Sequence, residues 1–419
     1  MRSEQHPSTT APNVGLENGS THGSSHSDDA PTERVGPASP LEVETAQGGR
    51  KLPWDRAQVG QVTLAYLAVR AVLLIANVLA AHQSYGGHLA GPVASWDSHF
   101  YLSIARSGYP AEVLRNADGS LGYSSAAFLP LFPLLIAAVA HLGVPVVGAG
   151  IIVSVLSGWV ATVAVWQLGT AVGGEQLGYG SAILFMTFPG MAVSWGLIYS
   201  ECVGTALAAI SFLLMMQRRW VAAGVAGGLA TATSPVALVL VVPALFLAAQ
   251  EMWRNRRLPW ALYTALLCPV GFVGFVLADG IRYHNLLYYW HLQHEAWGVN
   301  IDFGKGLVIL LWHMWQGGYQ GPAWLEWVAI VAVLLAGWAM YKARLPGFIN
   351  AYVVATVLFL FFSNQGLKPR LLTWAFPALI AVAAVLKPRS RNTLALTFMG
   401  LMPLLFLAFT TLGSRMVQP

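Results

Sequence analysis

The sequence predicts an all-α membrane protein that crosses the bilayer many times. Three observations carry that expectation. Hydrophobic residues make up 56% of the 419, charged residues only 10%, and mean hydropathy is +0.58. Soluble domains carry roughly a quarter charged residues, so a water-facing surface of this size cannot be built from this composition. Apolar stretches recur along the chain, most of them long enough to cross roughly 30 Å of hydrocarbon as a helix. Finally, Arg and Lys collect in short clusters between those stretches, where they report threading rather than nucleic-acid binding.

The elements follow in order. Residues 1–56 are rich in Ser, Thr, Gly, Pro, Asp, Glu and His and carry almost no aromatics. Such a segment buries too little apolar area to offset its ordering entropy, which predicts a disordered cytoplasmic tail ahead of a transmembrane domain over 57–419. The tail has no apolar run, so the first span, about 61–81, is expected to act as an uncleaved anchor. Further spans are expected near 150–172, 180–198, 202–217, 220–234, 236–250, 259–279, 324–341, 348–363, 370–386 and 392–412, the shorter ones as broken or half-buried helices. No internal repeat or heptad pattern is present.

The apolar segment 127–142 is the exception. Five basic clusters, Arg50/Lys51/Arg56, Arg218/Arg219, Arg254/Arg256/Arg257, Lys342/Arg344 and Lys387/Arg389/Arg391, all face the cytoplasm only if this segment does not cross. It is then a re-entrant or interfacial piece of the first outer loop, which suits Pro130 and Pro133. The result is about 11 transmembrane helices, with the amino terminus inside. Fifteen basic residues lie on the cytoplasmic side (five before the first span, then two, three, two and three) against seven outside, with Arg70 within a span.

This threading leaves four extracytoplasmic segments. The first loop, 82–149, holds Trp96, Asp97, His99 and Tyr101. A tight turn holds Tyr199 and Glu201. The second long loop, 280–323, holds Arg282, Gln293 and Trp297. The last turn, 363–370, holds Lys368 and Arg370. Charges near membrane depth are expensive, and acids, bases, amides and aromatics gathered on one face suggest a site. Each residue also has an ordinary reading. Trp and Tyr near helix ends anchor at the interface. Asp97 suits the N-cap of a helix opening at about His99. Glu201 suits a structural partner for an Arg, and Lys368 and Arg370 suit snorkelling charges. His284, His291, His294 and His313 lack metal-ligand spacing, so no metal is assigned. Cys202 and Cys268 read as buried thiols. No Gly-rich phosphate motif is present, and no nucleic-acid partner is expected.

The run from Trp96 to Tyr109 resembles the first-loop signature of PIG-V-type mannosyltransferases, and weaker pieces follow in the family's order. Phe128-Leu129-Pro130-Leu131-Phe132-Pro133 is similar to its Phe-Pro-rich segment, and Tyr199-Ser200-Glu201 to its Tyr-Ser/Thr-Glu turn. Gln293 and Trp297 resemble its Gln/Trp pair, and Pro369-Arg370-Leu371-Leu372 its Pro-Arg-Tyr-Leu segment. The resemblance covers roughly residues 60–390. Thr233-Ser234-Pro235 departs from an expected Thr-Arg-Pro, and Leu371 replaces a Tyr.

The resemblance implies a GT-C-type glycosyltransferase in the cell membrane. It implies a polyprenyl-phosphate-linked sugar donor, mannose in the family, and transfer on the extracytoplasmic face to a glycolipid, glycan or protein. It leaves divalent-metal dependence open. That chemistry needs a carboxylate to accept the acceptor's proton, and Asp97 is the candidate. It also needs a cation for the leaving phosphate, where Arg370 leads and Lys368 and Arg282 are reserves. Trp96, His99, Tyr101, Tyr199, Glu201, Gln293 and Trp297 are the other candidate substrate contacts, the two tryptophans as flat faces for a sugar ring. Competing readings are another sugar specificity, a non-catalytic scaffold, and a transporter or lipid flippase. The last would show ionisable residues inside its spans or two corresponding halves.

Overall fold

A computed structural model describes residues 56–411 except 257 and 317–323; the tail predicted for 1–56 lies outside them, Arg56 apart. No strand occurs among the described residues, only the isolated bridges Arg115–Leu121 and Ile301–Ser363. The architecture is an all-α bundle, as the apolar composition requires: in hydrocarbon a helix satisfies its backbone polar groups within itself.

Helix α1, Arg56–Ser84, shows how such a helix divides its surface. Val62, Tyr66, Val69, Leu73, Ala76 and Ala80 are buried in the bundle, whereas Leu64, Leu67 and Leu74 face outward as lipid-exposed leucines would. The first loop then forms α2 (Ala90–Val93), α3 (Ser98–Ser107) and α4 (Leu131–Ala140). Helix α4 has 10 residues and reaches about 15 Å, half the hydrocarbon thickness, in keeping with a segment that does not cross.

Next come α5 (Val146–Gly173), α6 (Glu175–Thr187), α7 (Met191–Gly196), α8 (Glu201–Met216) and α9 (Trp220–Thr231). A 3-10 turn, Pro235–Leu240, leads into α10 (Val241–Asn255), followed by α11 (Ala261–Leu267) and α12 (Val270–Arg282). The second long loop carries α13 (Tyr288–Glu295) and α14 (Lys305–Trp315). The chain closes with α15 (Trp324–Ala343), α16 (Gly347–Phe362), α17 (Pro369–Leu372), α18 (Pro377–Val385) and α19 (Pro388–Thr411).

Among the described residues five segments are long and apolar enough to cross a membrane: Arg56–Ser84, Val146–Gly173, Pro235–Arg254, Ala261–Arg282 and Pro388–Thr411. The other predicted spans correspond to shorter helices or to interrupted ones. Prolines mark the interruptions: before Pro189 and Pro369 the preceding residue, Phe188 or Lys368, is extended, whereas Cys268 before Pro269 and Phe376 before Pro377 keep a helical backbone. Pro189 separates α6 from α7, Pro269 separates α11 from α12, and Pro369 and Pro377 open α17 and α18.

The two ends of the bundle differ. At one, Arg391 Nη1 donates to the Gln176 carbonyl at 3.2 Å, joining the start of α19 to the α5–α6 turn. At the other, Trp96 Nε1 donates to the Phe409 carbonyl at 3.1 Å and Tyr85 Oη to that of Thr410, so the end of α19 lies against the first loop. Asn364 donates to the Gly298 carbonyl and Ile301 bridges Ser363, joining the second long loop to the last turn.

Candidate active site

The first loop delivers Asp97 through a bend at Trp96, whose backbone is left-handed at φ +57°. That conformation costs a non-glycine residue about 1–2 kcal/mol. The indole bond to Phe409 holds it, and the bend turns the chain out of α2 and into α3. Asp97 occupies the N-cap position of α3 but makes no side-chain cap hydrogen bond. The helix-cap reading therefore fails: its carboxylate points elsewhere.

It points to Arg370. Arg370 Nη1 donates to Asp97 Oδ2 at 2.9 Å, and Nε lies 3.4 Å from Glu201 Oε1. The first contact is a charge-assisted hydrogen bond. The second is an ion pair without hydrogen-bond alignment, so Arg370 Nε and Glu201 Oε2 stay buried without hydrogen-bond partners. The Arg370 guanidinium also lies 5.0 Å from the centre of the Tyr199 ring. The expectation that Glu201 partners an arginine is met, and its partner is Arg370.

The surrounding hydroxyls fix these groups. The Asp97 amide donates to Tyr199 Oη at 3.2 Å, and Tyr101 Oη and Ser200 Oγ are 3.0 Å apart. Burial, with the nearby carboxylates adding, pushes both phenols well above their ordinary pKa. Tyr101 and Tyr199 thus stay protonated at neutral pH as hydrogen-bonding groups.

Local backbone contacts set the distances. The Ile198 amide is shared between Ser98 Oγ at 3.2 Å and the Val93 carbonyl at 3.1 Å, tying the chain before Glu201 to the start of α3. Gly190, the N-cap of α7, sits so close to the Pro369 carbonyl that a Cβ there would collide with it. Arg370 is therefore seated on α7 as well as on Asp97.

A second group of predicted residues forms an aromatic wall beside the pair. Trp297 lies 5.2 Å from both Phe100 and Phe128 and 5.0 Å from Tyr123, while Phe100 stacks on Phe128 at 4.8 Å. Trp297 Nε1 is buried without a hydrogen-bond partner. Gln293 Nε2 donates to the Ala127 carbonyl at 3.2 Å, holding α13 against the first loop. His99 is exposed, its ring 4.1 Å from that of Phe100. Phe100 and Phe128 were not singled out from sequence, although both lie inside quoted motifs; single aromatics in an apolar chain give no signal of their own.

Arg282 does not join Arg370. Its guanidinium lies 5.2 Å from the centre of the Tyr109 ring, one turn from the buried Asp279, and it belongs to a separate cluster. Lys368 stands two residues before Arg370, at the N-cap of α17. Among the described residues no group of three His, Cys, Asp or Glu side chains could hold a metal ion. The two departures from the family pattern have local uses. Ser234 Oγ accepts from the Val236 amide and caps the 3-10 turn, and Leu371 is packed in the core.

No protein-family model and no curated protein matches the chain. Two crystal structures of ArnT from Cupriavidus metallidurans are similar to it in fold. The one bound to undecaprenyl phosphate matches with a TM-score of 0.51 at 18% identity, covering 80% of this chain and 62% of that one. The apo structure matches with a TM-score of 0.51 at 19% identity, covering 81% and 62%. The helical fold of this chain is the one these ArnT structures share. The chain spans about 62% of the length of ArnT, and at this identity the likeness is one of fold.

Proposed function

We propose that the protein transfers a mannosyl residue from a polyprenyl-phosphate-linked donor to an acceptor hydroxyl on the extracytoplasmic face, with inversion at the anomeric carbon. The contact between Asp97 and Arg370, 2.9 Å long and flanked by Glu201, is the observation that carries this reading. It puts a proton acceptor and a planar cation side by side. The fold shared with an ArnT bound to undecaprenyl phosphate supports the lipid-phosphate donor. The first-loop resemblance supports mannose, and the basic clusters support the face.

In this reading the donor phosphate takes over a guanidinium edge of Arg370, which frees Asp97 Oδ2. The acceptor hydroxyl gives its proton to Asp97 as its oxygen bonds to the anomeric carbon. The bond from that carbon to the phosphate oxygen breaks, and its electron pair leaves with the phosphate. Arg370 stabilises that charge through its planar fork. Two carboxylates against one guanidinium leave the site short of positive charge for an incoming phosphate, which gives Lys368 a role as the second cation. Trp297 and the aromatic wall offer a sugar ring a flat face. Glu201 holds Arg370 in register rather than taking the proton, since its side chain is 9% exposed against 28% for Asp97, which an acceptor can reach.

The test is an assay of the purified full chain in detergent with labelled polyprenyl-phosphate-mannose and a membrane-lipid extract, followed by identification of the product. Inverted mannosyl transfer that depends on Asp97 supports the reading. Transfer only from a donor carrying another sugar replaces mannose. Counterflow of the intact donor in proteoliposomes, without transfer, makes the protein a transporter instead.

A further inference from the structure

Arg70 is a charge inside a span that the proposed reaction leaves unused. It lies midway along α1, between Arg56 and Ser84, where a guanidinium in hydrocarbon is costly and persists when a specific partner holds it. Among the described residues no carboxylate pairs with it. Its Nη1 instead donates to the carbonyl of Trp195 at 2.5 Å. Tyr66, one turn earlier on the same face of α1, packs edge-on against the Trp195 ring with centroids 5.0 Å apart. The Tyr66 hydroxyl is itself anchored on the Val155 carbonyl at 2.8 Å. Helix α1 thus grips Trp195 by ring and carbonyl together.

Trp195 stands at the end of α7, directly before the chain that presents Tyr199 and Glu201. That connection is held at two points. Downstream, the Ile198 amide is bound by Ser98 Oγ and the Val93 carbonyl, and Tyr199 Oη by the Asp97 amide. Upstream, the hold is Arg70. Cys202 Sγ, next to Glu201, reaches back to the Ser194 carbonyl at 3.0 Å, so the same few residues close on themselves. A neutral side chain at position 70 leaves the Trp195 carbonyl without this donor and weakens the upstream hold on the connection.

We propose that Arg70 is a positioning residue. Its guanidinium, bound to the Trp195 carbonyl, holds the α7–α8 connection so that Glu201 and Tyr199 meet Arg370 and Asp97. The kinetic part of this proposal rests on the transferase reading above; the structural part does not. Two native cysteines separate them. Cys202 is buried beside the site, and Cys268 is buried against Gly227 on the α9–α11 side.

The experiment compares the full chain in nanodiscs as wild type, Arg70→Met and Arg70→Lys, reading labelling of both cysteines by methyl methanethiosulfonate together with kcat and donor KM. In Arg70→Met, labelling of Cys202 is expected to rise about tenfold while Cys268 keeps its wild-type rate. In the same variant kcat is expected to fall on the order of tenfold or more with donor KM little changed, because orientation rather than binding is lost. Arg70→Lys, which keeps a donor and a charge, is expected to restore much of both. Wild-type labelling of Cys202 in Arg70→Met overturns the proposal, and so does an equal rise at both cysteines, which marks general loosening. If no variant transfers sugar, the transferase reading fails while the labelling still decides the role of Arg70.

Discussion

Asp97 and Arg370 are 273 residues apart in the chain, and their side chains meet at 2.9 Å. The contact joins the first loop to the last turn before α18, and the chemistry proposed for the protein depends on both partners. Asp97→Asn keeps size and most hydrogen bonding but accepts no proton at neutral pH. Transfer is expected to drop by about a hundredfold or more while the thermal melting profile changes little. Full activity in a well-folded Asp97→Asn would remove Asp97 as the base.

Arg370 separates charge from shape. Arg370→Lys retains a cation without the planar fork, and Arg370→Ala retains neither. The lysine variant should keep partial transfer and the alanine variant much less. The alanine variant should also lose about 3 kcal/mol of stability, the low end of the range for breaking a buried pair, because Asp97 still reaches solvent. Transfer rates and melting temperatures on the same preparations check both statements.

Glu201 is the control for the assignment of the base. Glu201→Gln leaves the Asp97–Arg370 contact in place and removes one carboxylate beside the guanidinium. Its expected loss of transfer is no more than about tenfold, well short of that of Asp97→Asn. Single-turnover rates for the two variants decide the order. A reversed order would move proton acceptance to Glu201.

Gly190 tests the seat of Arg370. Its backbone is helical, at φ −59°, so substitution meets no dihedral strain, yet a Cβ would collide with the Pro369 carbonyl. Gly190→Ala is therefore expected to cost about 1–3 kcal/mol in stability by overpacking and to displace Arg370. Transfer should fall with donor KM rising, since Arg370 is the phosphate contact. Normal kinetics in this variant would mean that α7 and α17 move apart without consequence.

Orientation is tested by single cysteines at exposed positions, one at each end of the bundle. Ser98, although in the first loop, is fully buried and would not report. Asp118 in that loop and Asn392 near the basic end are exposed. Asp118→Cys should react with an impermeant thiol reagent added to intact cells, and Asn392→Cys only after permeabilisation. The opposite pattern would place the site in the cytoplasm.

Composition and pattern alone determined that this is a helical membrane protein, because hydrocarbon admits few charges and rewards long apolar helices. The basic clusters, with Pro130 and Pro133, implied that 127–142 does not cross, a reading that suits the 10-residue α4. Residue types near helix ends selected Asp97, Glu201, Tyr199 and Arg370, since such groups are expensive there without a purpose. Sequence left Asp97 open as a helix cap, and it held Arg282 in reserve behind Arg370 as the phosphate's cation. Only the tertiary structure decided these points. The left-handed bend at Trp96 turns the Asp97 carboxylate off its helix, and the close approach of Gly190 to Pro369 brings Arg370 to it. Arg282 lies against Tyr109 instead. The reason is general: local pattern reports the environment of a residue, whereas a contact between residues 273 apart is set by how whole helices pack.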